Sequence, residues 1–451
     1  MSKIIYPRIS FLILFLFSLN SFASYEARQA GMSPERLEKI GPSLSKYVSE
    51  GKLPGLITAV ARKGKVVHFE VQGYADVENR TPLQEDSLFR IYSMSKPITG
   101  VALMILIEEG KVRLNDPVAL YIPEFAFTKV MKVKDDGSVS LEELNKPITI
   151  RDLATHTSGI AYSFTANKQL REIYEENRLS TYFFIDNMTS FVTSTKAFPD
   201  VCSFSSALAS KAPLMHQPAE KLTYGMSVDV LGCVIEKASG QSFDVFLKQR
   251  IFDPLGMSDT SFDVPNDKAD RFSNLYAFPK GVRRLSQEWS ESLAKERKLM
   301  ALVDPMTTSP YLNKATFFDG GSGLVSSTRD YLTFTQMLVN GGSLGKVRIL
   351  SRKSVELMSS SHLSERVLKT DMSRYKSGGK GHGLTVGVTT DPGLAGEYGS
   401  EGKYYLGGAA GTVFWIDPKE ELVAVAMTQL LGSPWPLRTD FEALVYAAID
   451  D

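Results

Sequence analysis

The stretch Phe89-Arg90-Ile91-Tyr92-Ser93-Met94-Ser95-Lys96-Pro97-Ile98-Thr99-Gly100, with the apolar run 101–107 behind it, decides how this chain is read. An extended segment ends near Tyr92 and a helical pattern begins at once. That predicts a helix whose first turn carries Ser93, with Lys96 on the same face. A serine there lies among unpaired backbone N–H groups at the positive end of the helix dipole. A lysine three residues on is close enough to take the hydroxyl proton when its surroundings favour the neutral amine. The tetrapeptide Ser-x-x-Lys alone is weak, because it also starts at Ser43, Ser49, Ser292, Ser343, Ser373, Ser377 and Ser400. Only the Ser93 copy opens an apolar helix directly after a strand-like run. An ordinary N-cap serine with a solvated lysine is the competing reading, and the rest of the chain must separate the two.

At 451 residues there is ample material for a core, and the length suggests two or three units. Lysine plus arginine and aspartate plus glutamate both number 51, so the formal charge is zero. Neither nucleic acid nor an anionic membrane surface is implied by that balance. Residues 1–23 stand apart. Lys3 and Arg8 are followed by the apolar run 9–19 and then by Ser21-Phe22-Ala23, small residues at the −3 and −1 positions of a cut. This reads as a secretory signal peptide cleaved before Ser24, with no stable membrane anchor afterwards and a periplasmic or secreted protein as the result. Export would let Cys202 and Cys233 pair. Cys233, in the apolar run 230–235, reads more readily as a small buried residue, and sequence alone cannot supply the geometry of a pair, so pairing stays open.

In chain order, Ser33-Pro34 predicts a helix start running toward Tyr47-Val48, with Gly51 as its stop. Apolar runs 56–61 and 66–71 around Lys63-Gly64-Lys65 predict a β-hairpin, with His68 on a strand face. Residues 148–159 read as a helix closed by glycine, and His156 is better read as part of that closure than as a catalytic base. Residues 161–215 carry no clear motif and look like a cap or insertion over a site. Helices are expected at 228–238, 243–251 and 331–339, with 258–318 rich in loops. The last hundred residues turn β-rich at 383–389, 412–416 and 422–428, before a terminal helix near 438–448. Strands near both ends with helices between them predict an α/β (α+β) fold. Its antiparallel sheet, flanked by helices, is built from 24–92 and 325–451. A mainly helical domain, 93–324, is inserted between them and carries Ser93, Lys96 and Tyr224.

Taken in order, Ser93-Met94-Ser95-Lys96, Leu153-Ala154-Thr155-His156-Thr157-Ser158-Gly159, Tyr224-Gly225-Met226 and Gly407-Gly408-Ala409-Ala410-Gly411-Thr412 resemble the serine β-lactamase-related family. Within it the chain is most similar to the class C-like carboxylesterases called family VIII, and the likeness covers roughly residues 30–450. The resemblance implies a β-lactamase/transpeptidase-like fold. It implies Ser93 as the acylated nucleophile, Lys96 as its proton partner, and Tyr224 as a second base or relay. It also implies an oxyanion hole made by the backbone N–H groups of Ser93 and Ala409. Family lactamases carry Lys-Thr-Gly and many esterases Trp-Gly-Gly where this chain has Leu406-Gly407-Gly408. A leucine offers no charge or hydrogen bond to a substrate carboxylate, which argues against a β-lactam or peptidoglycan substrate. The two glycines still suit a strand edge that substrate backbone must approach.

One other motif stands in the sequence. Gly341-Gly342-Ser343-Leu344-Gly345 matches the Gly-x-Ser-x-Gly elbow, with His362 and His382 downstream, but its flanks read as a helix before and a turn after, the reverse of what an elbow needs. The five histidines are dispersed, without metal-ligand spacing, and no nucleotide loop is present, so no cofactor or metal is expected. The expected function is an exported serine hydrolase cleaving small short-acyl esters. The alternatives are a β-lactamase or D-amino-acid peptidase, or a binding protein that retains the fold without catalysis.

Overall fold

The hairpin expected at 56–71 forms as Gly55–Arg62 (β1) and Lys65–Asp76 (β2), antiparallel, with a bulge between Val60 and Ala61. The structure, a computed structural model, describes residues 24–179, 197–278, 300–370 and 378–451; the signal-peptide reading of residues 1–23 lies outside these. The sheet continues through Thr81–Pro82 (β3), Lys380–His382 (β4), Gly387–Thr389 (β5), Tyr404–Gly407 (β6), Val413–Asp417 (β7) and Leu422–Met427 (β8). These eight strands lie in the order β4-β5-β6-β7-β8-β1-β2-β3. The two ends of the chain meet where β1 pairs antiparallel with β8, Ile57 opposite Met427.

Every residue of β1 and β8 is buried, because both faces of the sheet are covered. Strand alternation sends Ile57, Ala59, Val423 and Val425 to one face, where the helix Thr328–Val339 packs. It sends Leu56, Val60, Ala424 and Ala426 to the other, against the helices Ile40–Ser49 and Leu437–Ala447. His68 sits on β2 with its Nε2 2.8 Å from Thr58 Oγ1, so it is spent inside the sheet. The first helix expected after Ser33 is in fact two, Pro34–Leu37 and Ile40–Ser49. Pro42 explains the break: in a continuous helix it would lack an N–H and press on the carbonyl of Glu38, whereas a restart at Ile40 puts it in a first turn.

Between the two groups of sheet strands the described residues are mainly helical. The helix Ser95–Glu108 is buried from Ser95 to Leu106, and Ser227–Ser239 packs beside it, closed by Gly240 at φ +73°. Cys202, on the helix Val201–Lys211, and Cys233, on Ser227–Ser239, form a disulfide, which resolves the pairing left open by sequence. The stretch 258–318, expected to be loops, also contributes strands Leu275–Ala277 and Ala301–Asp304, which form a three-stranded sheet with Leu430–Leu431. One continuous apolar core runs from Ile57 and Phe414 of the sheet through Met94 and Val101 to Val228 and Phe243.

Candidate active site

The segment leading into Ser93 is anchored before it turns. Strand Leu88–Arg90 pairs antiparallel with Val325–Ser327, and the Ile91 N–H donates to Leu324 O at 3.1 Å. Tyr92 then adopts φ +44°, a left-handed conformation that costs a bulky residue strain and persists only where its surroundings hold it. Its side chain is buried. That bend swings the chain into a 3-10 turn, Tyr92–Met94, which feeds the helix Ser95–Glu108. Ser93 therefore sits at the apex of the turn just ahead of the helix, with Lys96 one turn on. The Tyr331 hydroxyl donates to Met94 O at 2.9 Å, and Ser95 Oγ accepts from the Leu324 N–H at 3.2 Å. Both tie the apex to its neighbours.

Three of the residues expected from sequence meet here. Ser93 Oγ lies 3.2 Å from Lys96 Nζ and 2.7 Å from the Tyr224 hydroxyl oxygen. Ser93 is 8% exposed and Lys96 is fully buried, so the serine opens to solvent while the lysine does not. Lys96 Nζ also donates to Gly321 O at 2.8 Å, lies 3.1 Å from the Tyr162 hydroxyl, and stands 4.8 Å from the Tyr224 ring centre. Gly321 must be glycine for this approach: a Cβ there would fall 2.4 Å from Asp229 Oδ2.

Tyr224 is held from behind. Thr165 Oγ1 donates to Tyr224 O at 2.8 Å, and the Thr223 N–H donates to His156 O at 2.8 Å. The His156 ring lies 4.6 Å from the Tyr224 ring, and its Nδ1 accepts the Gly225 N–H at 3.4 Å. The helix is shorter than expected, Ile150–Ala154, because His156 already turns left-handed at φ +57°. His156 thus closes the helix and also props the tyrosine.

Leu406, Gly407, Gly408 and Ala409 follow the edge of β6 toward the serine. Leu406 is half-buried against the core, while Gly407 and Ala409 are exposed. A Cβ on Gly408 would stand 2.5 Å from Ile91 O and 2.2 Å from Thr412 Oγ1, so this backbone rests directly on the segment two residues before Ser93. The Gly408 N–H donates to Thr412 O at 2.8 Å and the Gly411 N–H to Gly408 O at 3.0 Å, which hold the turn. No hydrogen bond from the Ser93 or Ala409 amide to another protein group is found among the described residues. Both amides are thereby free to face a substrate oxygen. Gly408→Val should push the 407–409 backbone away from Ile91 and lower kcat by about 10²–10³-fold, the loss typical of one oxyanion donor. Steady-state kinetics on folded protein check this; unchanged kcat would remove Ala409 from the site.

Tyr162, Asp229 and Asp319 were missed by sequence reasoning. The Tyr162 hydroxyl reaches both Lys96 and Asp229, the latter at 3.3 Å. It lies in the stretch read as motif-free. Asp229, five residues after Tyr224 in the first turn of Ser227–Ser239, is fully buried, an unusual place for a carboxylate and the one available signal. The elbow-like Ser343 lies in a short hairpin, Ser343–Leu344 with Val347–Arg348. Ser343 Oγ has no hydrogen-bond partner among the described residues, so neither His362 nor His382 is set against it as a base.

A buried lysine and a tyrosine converging on a serine at the mouth of this fold define a serine hydrolase of the Ser-x-x-Lys type. The chain belongs to the Beta-lactamase family, whose model matches residues 41–449. It is 31% identical over 394 residues to protein Rv1367c of Mycobacterium tuberculosis, covering 86% of this chain and 88% of that one. It is 28% identical over 403 residues to esterase EstB of Burkholderia gladioli, covering 88% and 92%. Its fold is similar to that of EstCE1, described as a hydrolase with promiscuous acyltransferase activity, at a TM-score of 0.71 and 24% identity over 92% of this chain and 99% of that one.

Proposed function

We propose that this protein is an exported carboxylesterase that cleaves small, short-acyl esters through an acyl-enzyme on Ser93. The observation that carries the reading is Ser93 Oγ standing between Lys96 Nζ at 3.2 Å and the Tyr224 oxygen at 2.7 Å. As Oγ attacks the ester carbonyl, its proton passes to this pair, and the carbonyl oxygen becomes an oxyanion between the Ser93 and Ala409 amides. Collapse breaks the bond to the alcohol, which leaves with the proton. Water then attacks the acyl-serine, gives up a proton to the same pair, and releases the acid as Ser93 regains its hydrogen. Leu406 supports an uncharged substrate, since nothing in its side chain rewards a carboxylate. The esterase name of the Burkholderia relative supports the ester as the scissile group. Export rests on the composition of residues 1–23.

The test is hydrolysis of p-nitrophenyl acetate and butyrate beside a cephalosporin. The expected result is turnover of the esters with a higher kcat/KM than for the cephalosporin. A cephalosporin rate far above the ester rate would make the protein a β-lactamase. No turnover together with no uptake of a fluorophosphonate would make it a binding protein.

A further inference from the structure

To take the serine proton, Lys96 Nζ must offer a lone pair to Ser93, which leaves it two N–H donors, and among the described residues three oxygens compete around it. Gly321 O, at 2.8 Å, is a carbonyl and must take an N–H. The Tyr162 and Ser93 oxygens, at 3.1 and 3.2 Å, can each accept or donate. If the Tyr162 O–H pointed at Lys96 it would occupy the lone pair that must receive the serine proton. What settles the direction is the group on the other side of Tyr162.

That group is Asp229, whose Oδ2 accepts the Tyr162 O–H at 3.3 Å. Asp229 is fully buried, Asp319 is 1% exposed, and the two carboxyls are within hydrogen-bonding reach of each other. Asp229 Oδ1 has no other partner among the described residues, which is costly for a buried carboxylate oxygen. Asp319 is well supplied: its Oδ1 accepts the N–H groups of Gly321 and Ser322 at 2.7 and 3.1 Å, and its Oδ2 accepts the Ser322 hydroxyl. Two buried carboxyls this close cannot both ionise. The proton goes to Asp229, whose oxygens lack the three donors that Asp319 accepts. Burial, and then the Asp319 carboxylate, hold Asp229 well above the ordinary carboxylate range, against the pull of Lys96.

We propose that Asp229, sharing one proton with Asp319, is a positioning residue that turns the Tyr162 hydroxyl hydrogen away from Lys96, so that the lysine lone pair faces Ser93. The donations then run one way, from Lys96 N–H to Tyr162, from Tyr162 O–H to Asp229 Oδ2, and from Asp229 O–H to Asp319. The inference rests on the esterase reading above, because it supplies the geometry for proton removal from Ser93.

The test is a double-mutant cycle on p-nitrophenyl butyrate with Asp229→Leu, Tyr162→Phe and the pair together. Leucine removes the acceptor of the Tyr162 O–H, which can then turn onto Lys96; asparagine would not serve, since its carbonyl accepts from Tyr162 while its amide donates to Asp319. Asp229→Leu should therefore lower kcat by about 100-fold, with KM within about threefold. In the Tyr162→Phe background the same change should cost nothing further, since no hydroxyl remains to block the lone pair. An unchanged kcat in Asp229→Leu, or an undiminished loss in the Tyr162→Phe background, overturns the proposal. Should Asp229→Leu fail to fold, infrared spectroscopy of the unmodified protein at neutral pH decides: a buried carboxylic-acid band is expected, and its absence overturns the proposal. Failure of the esterase reading looks different, because the unmodified protein would then neither hydrolyse esters nor take up a fluorophosphonate.

Discussion

Ser93→Ala is expected to abolish ester turnover, by on the order of 10⁵–10⁶-fold in kcat, while the protein stays folded. The size follows from the nucleophile being covalent: without Oγ no acyl-enzyme forms, and Lys96 and Tyr224 have no proton to move. The retained fold follows from what the hydroxyl touches. Lys96 keeps Gly321 O and Tyr162 as partners, and the half-buried Tyr224 hydroxyl can turn to water. Loss of one such hydrogen bond costs about 1 kcal/mol. Mass spectrometry after fluorophosphonate treatment provides the independent check, with one adduct on the Ser93 peptide of the unmodified protein and none in the variant. An active, well-folded Ser93→Ala would sink the assignment, and an adduct on Ser343 would reinstate the Gly-x-Ser-x-Gly reading despite its hairpin.

What could be read in advance was whatever depends on near neighbours. Ser93 and Lys96 meet because three residues make one helical turn, and β1 and β2 pair because a short turn joins two alternating runs. The covering of both sheet faces was not anticipated, although the unbroken apolar run 422–427 carries a sign of it. Tyr162 was not legible: its partner Lys96 is 66 residues away, and nothing near Tyr162 distinguishes it from a core aromatic. The Asp229 and Asp319 pair is separated further still, and a single buried carboxyl gives no sign in sequence of which group it will face. The division of the first helix at Lys39 could have been read, since Pro42 forbids a continuous one. Tyr224 lay between these extremes. Its ordered place after the Ser93 segment marked it, but the His156 ring that supports it could be recognised only as a helix terminator.

The largest stability effect is expected at Arg90, three residues before Ser93. Its guanidinium is fully buried, donates from Nε to Asp304 Oδ2 at 2.9 Å, to Ser273 O at 2.7 Å and to Ser309 Oγ at 3.0 Å, and stacks 3.9 Å over the Phe272 ring. Its backbone is clasped as well, with the Arg90 N–H donating to Gln429 Oε1 at 3.2 Å and Gln429 Nε2 donating back to Arg90 O at 3.1 Å. Arg90→Met should cost about 3–5 kcal/mol, because it leaves Asp304 buried and charged with Ser309 as its one remaining side-chain partner among the described residues. Arg90→Met with Asp304→Leu should recover much of that loss, since removing both charges removes the uncompensated one. Urea unfolding of the two variants checks this, and a single variant within about 1 kcal/mol of the unmodified protein would refute it. The anchor matters to chemistry because of Tyr92, whose left-handed backbone costs about 1–3 kcal/mol and sits directly between Arg90 and Ser93. A buried ion pair clamps the strand on one side of that bend, and the helix Ser95–Glu108 is packed on the other. With both sides fixed, the bend cannot relax, and Ser93 Oγ is kept where Lys96 and Tyr224 can reach it.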